Sequence, residues 1–348
     1  MINYFAYNFI KSHRTLRVTP ATSWRQHAPP RPDGSVNLLI ESERRRPRNS
    51  LGNQHQDVAP MPRRSLWFRL AGGAISAIAA TYLLTVGALW YWQATFIFRP
   101  SPIVDVTPGD SGVTFEKVSL PIGGAQLAGW WVPAENPQTA TLLYLHGNAN
   151  NVGANAQEVV RFHHAGVNVF IFDYRGYGES TGGPPRERLM YEDADRAWTY
   201  LVSDRRLPPD TIAIYGHSLG SAVAVDLASN HPEAGALIIE GVVTSIADLA
   251  NEMGVGSFLP VRLILTERFD AISKIGSVHI PTLILEGDSD RPLRARRLYD
   301  SAREPKQLVL IPGGGHEDSA ELNPAVYFST LDSFLLQHRL RSKAATVK

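Results

Sequence analysis

The sequence predicts an α/β protein: a mostly parallel sheet with helices on both faces, preceded by one membrane-spanning helix. Three observations carry that prediction. Short apolar strand patterns alternate with helical patterns from about residue 113 onward. A β-branched run leads into Gly216-His217-Ser218-Leu219-Gly220 and then into a small-residue helix. Residues 70–98 form 29 consecutive positions without a charge. Apolar strands that alternate with helices are buried on both faces, which is the signature of a parallel sheet.

Residues 1–65 are rich in Arg, Pro, Asn, Gln and Ser and lack a sustained apolar period, so they are expected to be disordered. Met61, directly ahead of a basic stretch and then an apolar one, is an alternative initiator. The apolar segment at 66–98 exceeds the roughly 20 helical residues that a bilayer core requires. Arg63, Arg64 and Arg69 precede it and Arg99 alone follows closely, so the positive-inside rule keeps the N-terminus cytoplasmic and exports the rest. Trp90, Tyr91 and Trp92 stand near the exit, where aromatic rings favour the interface. A signal peptide cleaved after Ala77-Ile78-Ala79 is the competing reading. It would leave a strongly apolar new terminus, so an uncleaved anchor is preferred.

The remaining residues, 99–348, are expected to form the folded domain. Patterns at 113–120 and 126–132 flank Gly123-Gly124 and predict an antiparallel hairpin. Strands follow at 141–145, 167–172, 211–215, 237–240, 282–285 and 307–311. Helices are expected near 156–164, 186–202, 221–228, 293–302 and 326–339.

Composition narrows the function. A net charge of +1 supplies no basic field for nucleic acid. The absence of cysteine excludes disulfides, a thiol nucleophile and an acylated cysteine. No His-Glu-x-x-His pattern occurs among the 11 histidines, so no metal site is expected.

The strand–turn–helix around Ser218 is the arrangement that exposes a serine hydroxyl as a nucleophile. A second match, Gly178-Glu179-Ser180-Thr181-Gly182, is followed by Gly183-Pro184-Pro185 and lacks the helix, so Ser180 is assigned to a loop. A serine needs a base, and the base needs a carboxylate, in the chain order Ser, acid, His for this kind of fold. Only His316 and His338 lie beyond the last plausible acid. His316 follows a glycine-rich loop and is the expected base, whereas His338 sits on the terminal helix. Asp290 is the first choice for the acid, ahead of Asp288, a turn former, and Glu240. The oxyanion hole requires two backbone N–H donors, expected from Leu219 and Asn148. His146 and His217 are expected to act as positioning residues beside these turns, and His163 and His164 to lie on a helix surface.

His146-Gly147-Asn148-Ala149, Asp173-Tyr174-Arg175-Gly176-Tyr177-Gly178, the Ser218 elbow, Gly287-x-x-Asp290 and Gly315-His316 together resemble the membrane-anchored α/β-hydrolases of the Bem type. The resemblance spans about residues 66–340. It implies the eight-stranded α/β-hydrolase fold with a small cap, to which residues 244–280 would correspond, no cofactor, and esterase, lipase, thioesterase or peptidase activity. The apolar run at 258–265 in that cap suits either an acyl pocket or packing on the core, and with the anchor it makes a small-molecule or lipid-like acyl substrate the expectation. Many relatives carry His where Glu286 stands and Val-Pro after the acid, whereas here Arg291-Pro292-Leu293 follows Asp290. The expected protein is a single-pass serine hydrolase with its catalytic domain outside the cytoplasm. A peptidase on the same fold and a catalytically silent tethered binding module are the alternatives.

Overall fold

The computed structural model describes residues 63–135 and 139–340. The expected disordered region, up to residue 62, and the alternative start at Met61 lie outside the described residues. Helix α1 spans Arg63–Ile97 and so begins three residues before the expected boundary. The helical pattern extends beyond its apolar window because nothing at 63–65 breaks it. Its 35 residues rise about 50 Å at roughly 1.5 Å each, more than the ~30 Å of a hydrocarbon core. Among the described residues it is the one helix long and apolar enough to cross a membrane, and most of its surface touches no protein.

The last turn of α1 differs. Gln93, Ile97 and Phe98 are buried, and Phe98 meets Phe269 edge-on with ring centroids 5.9 Å apart. Burial of apolar side chains of this size stabilises by about 1.5–3 kcal/mol each. The packing therefore places the end of the helix inside the domain core, ahead of the expected break at residue 99. A two-residue parallel ladder continues the link, pairing Arg99 with Ala149 and Pro100 with Asn150.

Eight strands form one sheet: β1 Glu116–Ile122, β2 Ala125–Val132, β3 Thr141–Leu145, β4 Asn168–Phe172, β5 Ile212–His217, β6 Ala236–Glu240, β7 Thr282–Gly287 and β8 Lys306–Ile311. In space they run β8-β7-β6-β5-β3-β4-β2-β1. Only the β1–β2 and β2–β4 pairs are antiparallel. The β1–β2 hairpin turns on Gly123 and Gly124, both at positive φ, as a two-residue connection of right-handed twist requires. Strands β3 to β7 are buried throughout, which explains their continuous apolar runs.

Alternate residues of each strand face opposite sides, giving two cores. Leu143, Phe170, Ile214, Ile239 and Ile284 share one cluster, and Leu142, Ile171, Tyr215, Ile238 and Leu285 share the other. Helices α2 Ala156–His164, α3 Glu187–Thr199, α4 Leu219–Asn230, α5 Ile246–Glu252, α6 Val261–Ile264, α7 Ala271–Lys274, α8 Pro292–Ser301, α9 Ser319–Leu322 and α10 Pro324–Gln337 follow in chain order. The first cluster packs α3, α4, α7 and α8, and the second packs α2 and α10. Small residues dominate α4, where Ala222, Ala224 and Ala228 let the helix lie close against the sheet.

Residues 244–280 contain α5, α6 and α7 joined by short turns. The apolar run at 258–265 neither folds inward as a unit nor stays outside. Val261 is buried and Leu265 packs against the first core, while Phe258 and Leu263 remain 79% and 86% exposed. Gln93 of α1 holds this segment: its Nε2 donates to the Ile264 carbonyl at 3.2 Å, and its Oε1 accepts from Thr266 N–H at 2.8 Å.

Candidate active site

Ser218 lies between β5 and α4 with φ +54° and ψ −124°. A non-glycine residue in this region costs on the order of 1–3 kcal/mol, and the surrounding packing holds it there. Its N–H donates to the Glu240 carbonyl at 3.0 Å, and its own carbonyl accepts from Ser221 N–H at 2.9 Å. The helix can start this abruptly only because Gly220 has no side chain. A Cβ at Gly220 would fall 2.0 Å from the Leu145 carbonyl oxygen.

The loop after β8 brings His316 over the elbow. Ser218 Oγ is 2.9 Å from His316 Nε2, and His316 Nδ1 is 2.7 Å from Asp290 Oδ2. A carboxylate only accepts, so Nδ1 carries the proton and Nε2 is left to accept from the serine hydroxyl. The His316 side chain is 34% exposed and that of Asp290 14%, so the serine–imidazole contact stays open to a substrate while the acid does not. Burial works to lower the His316 pKa, but the hydrogen bond and charge of Asp290 outweigh it, with Glu317 and Glu286 adding, and the value rises. Burial raises Asp290 in turn, yet the bond and charge of His316, with Glu286 and Arg294, hold it below the ordinary value.

The other acids considered stand elsewhere. Asp288 accepts from Gly313 N–H at 2.9 Å and from the Ser289 hydroxyl at 3.1 Å, and so ties the β7 and β8 loops together. Glu240 is buried on the second-core face, where Oε2 accepts from Tyr327 at 2.5 Å and from Tyr215. Ser180 is buried in its loop, donating to the Asp173 carbonyl at 2.6 Å and accepting from Ala128 N–H at 2.8 Å.

The loop after β3 approaches Ser218 closely: a Cβ on Gly147 would lie 3.1 Å from Ser218 Cβ. Next to it, Asn148 is fixed from three sides. Its Nδ2 donates to the Ile97 carbonyl at 2.7 Å, and its carbonyl accepts from Arg99 N–H at 2.9 Å and Tyr177 Oη at 3.0 Å. Leu219 N–H opens α4, where the first N–H groups of a helix have no intrahelical acceptor. Fully buried His146 faces the Gly147 carbonyl through Nδ1 at 2.9 Å and Asp173 through Nε2 at 3.4 Å. It is held by these contacts, and His217 Nε2 faces the His316 carbonyl at 3.0 Å. His163 is half-buried against the Pro133 carbonyl, while His164 is exposed.

His217, His316 and Glu317 bring three ligand-type atoms within 4.8 Å of one another. A cation there would have to displace both the Ser218–His316 contact and the His217–carbonyl contact. The residue that sequence reasoning missed is Glu286. It is fully buried at the end of β7, and its Oε2 accepts from Val242 N–H at 3.0 Å. Burial, with the charge of Asp290 adding, pushes its pKa up to about 8. An acidic residue inside an otherwise apolar, doubly covered strand was the available signal.

Strand order, elbow and helical layers together define an α/β-hydrolase. The family model described as serine aminopeptidase, S33, matches residues 136–255. An uncharacterised protein of Mycobacterium tuberculosis is 35% identical over 275 residues, covering 76% of this chain and 94% of that one. Protein bem46 of Schizosaccharomyces pombe is 30% identical over 287 residues, covering 77% and 94%. Among solved structures, a Pyrococcus furiosus esterase superposes with a TM-score of 0.57 at 18% identity, covering 69% of this chain and 98% of that one. The chain belongs to the Bem46-type α/β-hydrolases.

Proposed function

We propose that this protein is a serine hydrolase that cleaves ester or thioester bonds through Ser218, His316 and Asp290. The observation that carries the proposal is the continuous relay from Ser218 Oγ through His316 to Asp290, with contacts of 2.9 and 2.7 Å. In this mechanism His316 Nε2 takes the hydroxyl proton as Ser218 Oγ attacks the acyl carbon. Asp290 holds the imidazole in the tautomer that can accept, and its charge stabilises the imidazolium formed. The backbone N–H groups of Leu219 and Asn148 receive the carbonyl oxygen as it becomes negative. His316 then returns its proton to the leaving oxygen or sulfur, and an acyl-Ser218 remains. Water, activated by the same imidazole, releases the acid and restores the serine.

A small-molecule or lipid-like acyl group is the substrate class we favour. The exposed Phe258 and Leu263 stand on the cap segment that α1 holds, and so support apolar acyl chains. We further propose that α1 is an uncleaved anchor with a cytoplasmic N-terminus, residues 99–348 forming the extracytoplasmic catalytic domain and 244–280 its cap. Release from membranes by carbonate would sink the anchor reading. The name of the matched family supports a second reading, a peptidase using the same acyl-enzyme. Comparing p-nitrophenyl esters of graded chain length with aminoacyl anilides separates the two.

Fluorophosphonate labelling tests the chemistry. The native chain and Ser180→Ala are expected to label, and Ser218→Ala is not. Labelling that survives Ser218→Ala overturns the assignment, and an unlabelled native chain favours a silent binding module.

A further inference from the structure

Glu286 occupies the carboxyl end of β7 on the first-core face of the sheet, opposite the face that holds Glu240. Its two oxygens have different surroundings. Oε2 accepts from Val242 N–H, whereas buried Oε1 has no hydrogen-bond partner among the described residues so long as both neighbouring acids are ionised. The Asp290 carboxyl nonetheless lies within hydrogen-bonding reach of the Glu286 side chain. Two buried carboxylates at that separation repel strongly, and the repulsion becomes attraction when one of them carries a proton.

We propose that Glu286 keeps a proton on Oε1 in the working enzyme and donates a hydrogen bond through it to the Asp290 carboxylate, so that Glu286 is the residue that positions the catalytic acid. This inference rests on the hydrolase reading of Ser218, His316 and Asp290. The groups that face the pair decide where the proton resides. Val242 N–H holds Oε2 of Glu286. His316 lies on the other side of Asp290, and Arg294 of α8 adds positive charge there while bonded to Glu252 at 2.8 Å. Glu317 acts on His316 from the rim. Every positive charge in this set favours ionisation of Asp290, while Glu286 sits deeper and meets mainly the negative charge of its neighbour. Burial holds its proton up to about pH 8, and Asp290 stays below the ordinary carboxylate range.

The consequence is an alkaline limit on catalysis. As the pH rises through about 8, Glu286 loses its proton and the donor to Asp290 disappears. A second negative charge then stands beside the acid and displaces it from His316, which loses the acceptor that orients its ring.

Glu286→Gln reproduces the protonated acid: its amide N–H donates to Asp290 and its carbonyl accepts from Val242. In the full-length, detergent-solubilised protein, native kcat/KM for a p-nitrophenyl ester is expected to fall at least tenfold from neutral pH to about pH 10. Glu286→Ala is expected to lose at least about tenfold already at neutral pH, and Glu286→Gln to restore that loss and abolish the alkaline fall. An alkaline limb that persists unchanged in Glu286→Gln overturns the proposal. Difference infrared spectroscopy supplies a readout independent of turnover. A protonated-carboxyl C=O band is expected in the native protein at neutral pH, lost on titration through about pH 8 and missing from Glu286→Gln. Absence of that band at neutral pH overturns the proposal even if esters are cleaved. If no variant cleaves an ester, the band still decides the protonation of Glu286, and the hydrolase reading alone fails.

Discussion

Replacing Asp290 by Asn changes one heavy atom and tests the whole relay. In the native site His316 Nδ1 donates to Asp290 Oδ2 at 2.7 Å, which leaves Nε2 free to accept from Ser218 at 2.9 Å. An Asn amide facing Nδ1 donates instead of accepting, so the imidazole proton moves to Nε2 and points at the serine. The base is then in the wrong tautomer, and the charge that stabilised the imidazolium is gone. Loss of the triad acid in this way costs about 10,000-fold in kcat. At about 1.36 kcal/mol per decade that is about 5.4 kcal/mol of transition-state stabilisation. The assay is steady-state hydrolysis of a p-nitrophenyl ester, with circular dichroism confirming the fold. Asp288→Asn is the companion variant: its contacts are to Gly313 and Ser289, so kcat is expected to stay within about twofold of native, as for a substitution that touches no reacting group. An Asp290→Asn enzyme within tenfold of native, or an Asp288→Asn enzyme that loses activity to a similar extent, refutes the assignment of the acid.

Three further outcomes follow from the geometry. The His316 pKa is raised above its ordinary 6.5, so its protonated form persists to higher pH and kcat/KM must rise through a midpoint above 6.5, which a pH–rate profile measures. Gly220→Ala drives a Cβ to 2.0 Å from the Leu145 carbonyl oxygen. Overpacking against backbone is expected to cost at least about 1–3 kcal/mol and to lower the melting temperature together with fluorophosphonate labelling. Gln93→Ala removes the acceptor for Thr266 N–H and the donor to the Ile264 carbonyl, a loss of about 1–2 kcal/mol readable as earlier thermal unfolding.

Much of this architecture can be read along the chain because it is written in local patterns. Strand β7 announces itself by a continuous apolar run, the β1–β2 turn by two adjacent glycines, and α4 by small residues after the elbow. Chain order directs attention to His316 because few histidines follow the elbow strand. What stays hidden is held by contacts between distant residues that share no pattern. The bond from Asn148 to the Ile97 carbonyl joins positions 51 apart through a backbone acceptor, which every residue possesses. Gln93 and Thr266 are 173 apart, and nothing in an apolar helix marks one polar residue as a clamp. Glu286 is visible as a charge in a buried strand, but its relation to Asp290 depends on the curl of the acid loop. The fate of the 258–265 run was undecidable for a similar reason: amphipathic and inward-facing packings share the same short apolar string.

The end of α1 meets the domain at two places, residues 264–266 and the loop after β3 that approaches Ser218. Gln93 grips the 244–280 segment through Ile264 and Thr266, and Ile97 with Arg99 grips the loop that carries Asn148. A soluble fragment cut at the end of the apolar segment would therefore lack part of the frame around Ser218, and a useful truncation has to begin before Gln93. The helix acts as a mast stepped into the hull, not as a rope: any tilt imposed on it reaches both of these contacts together.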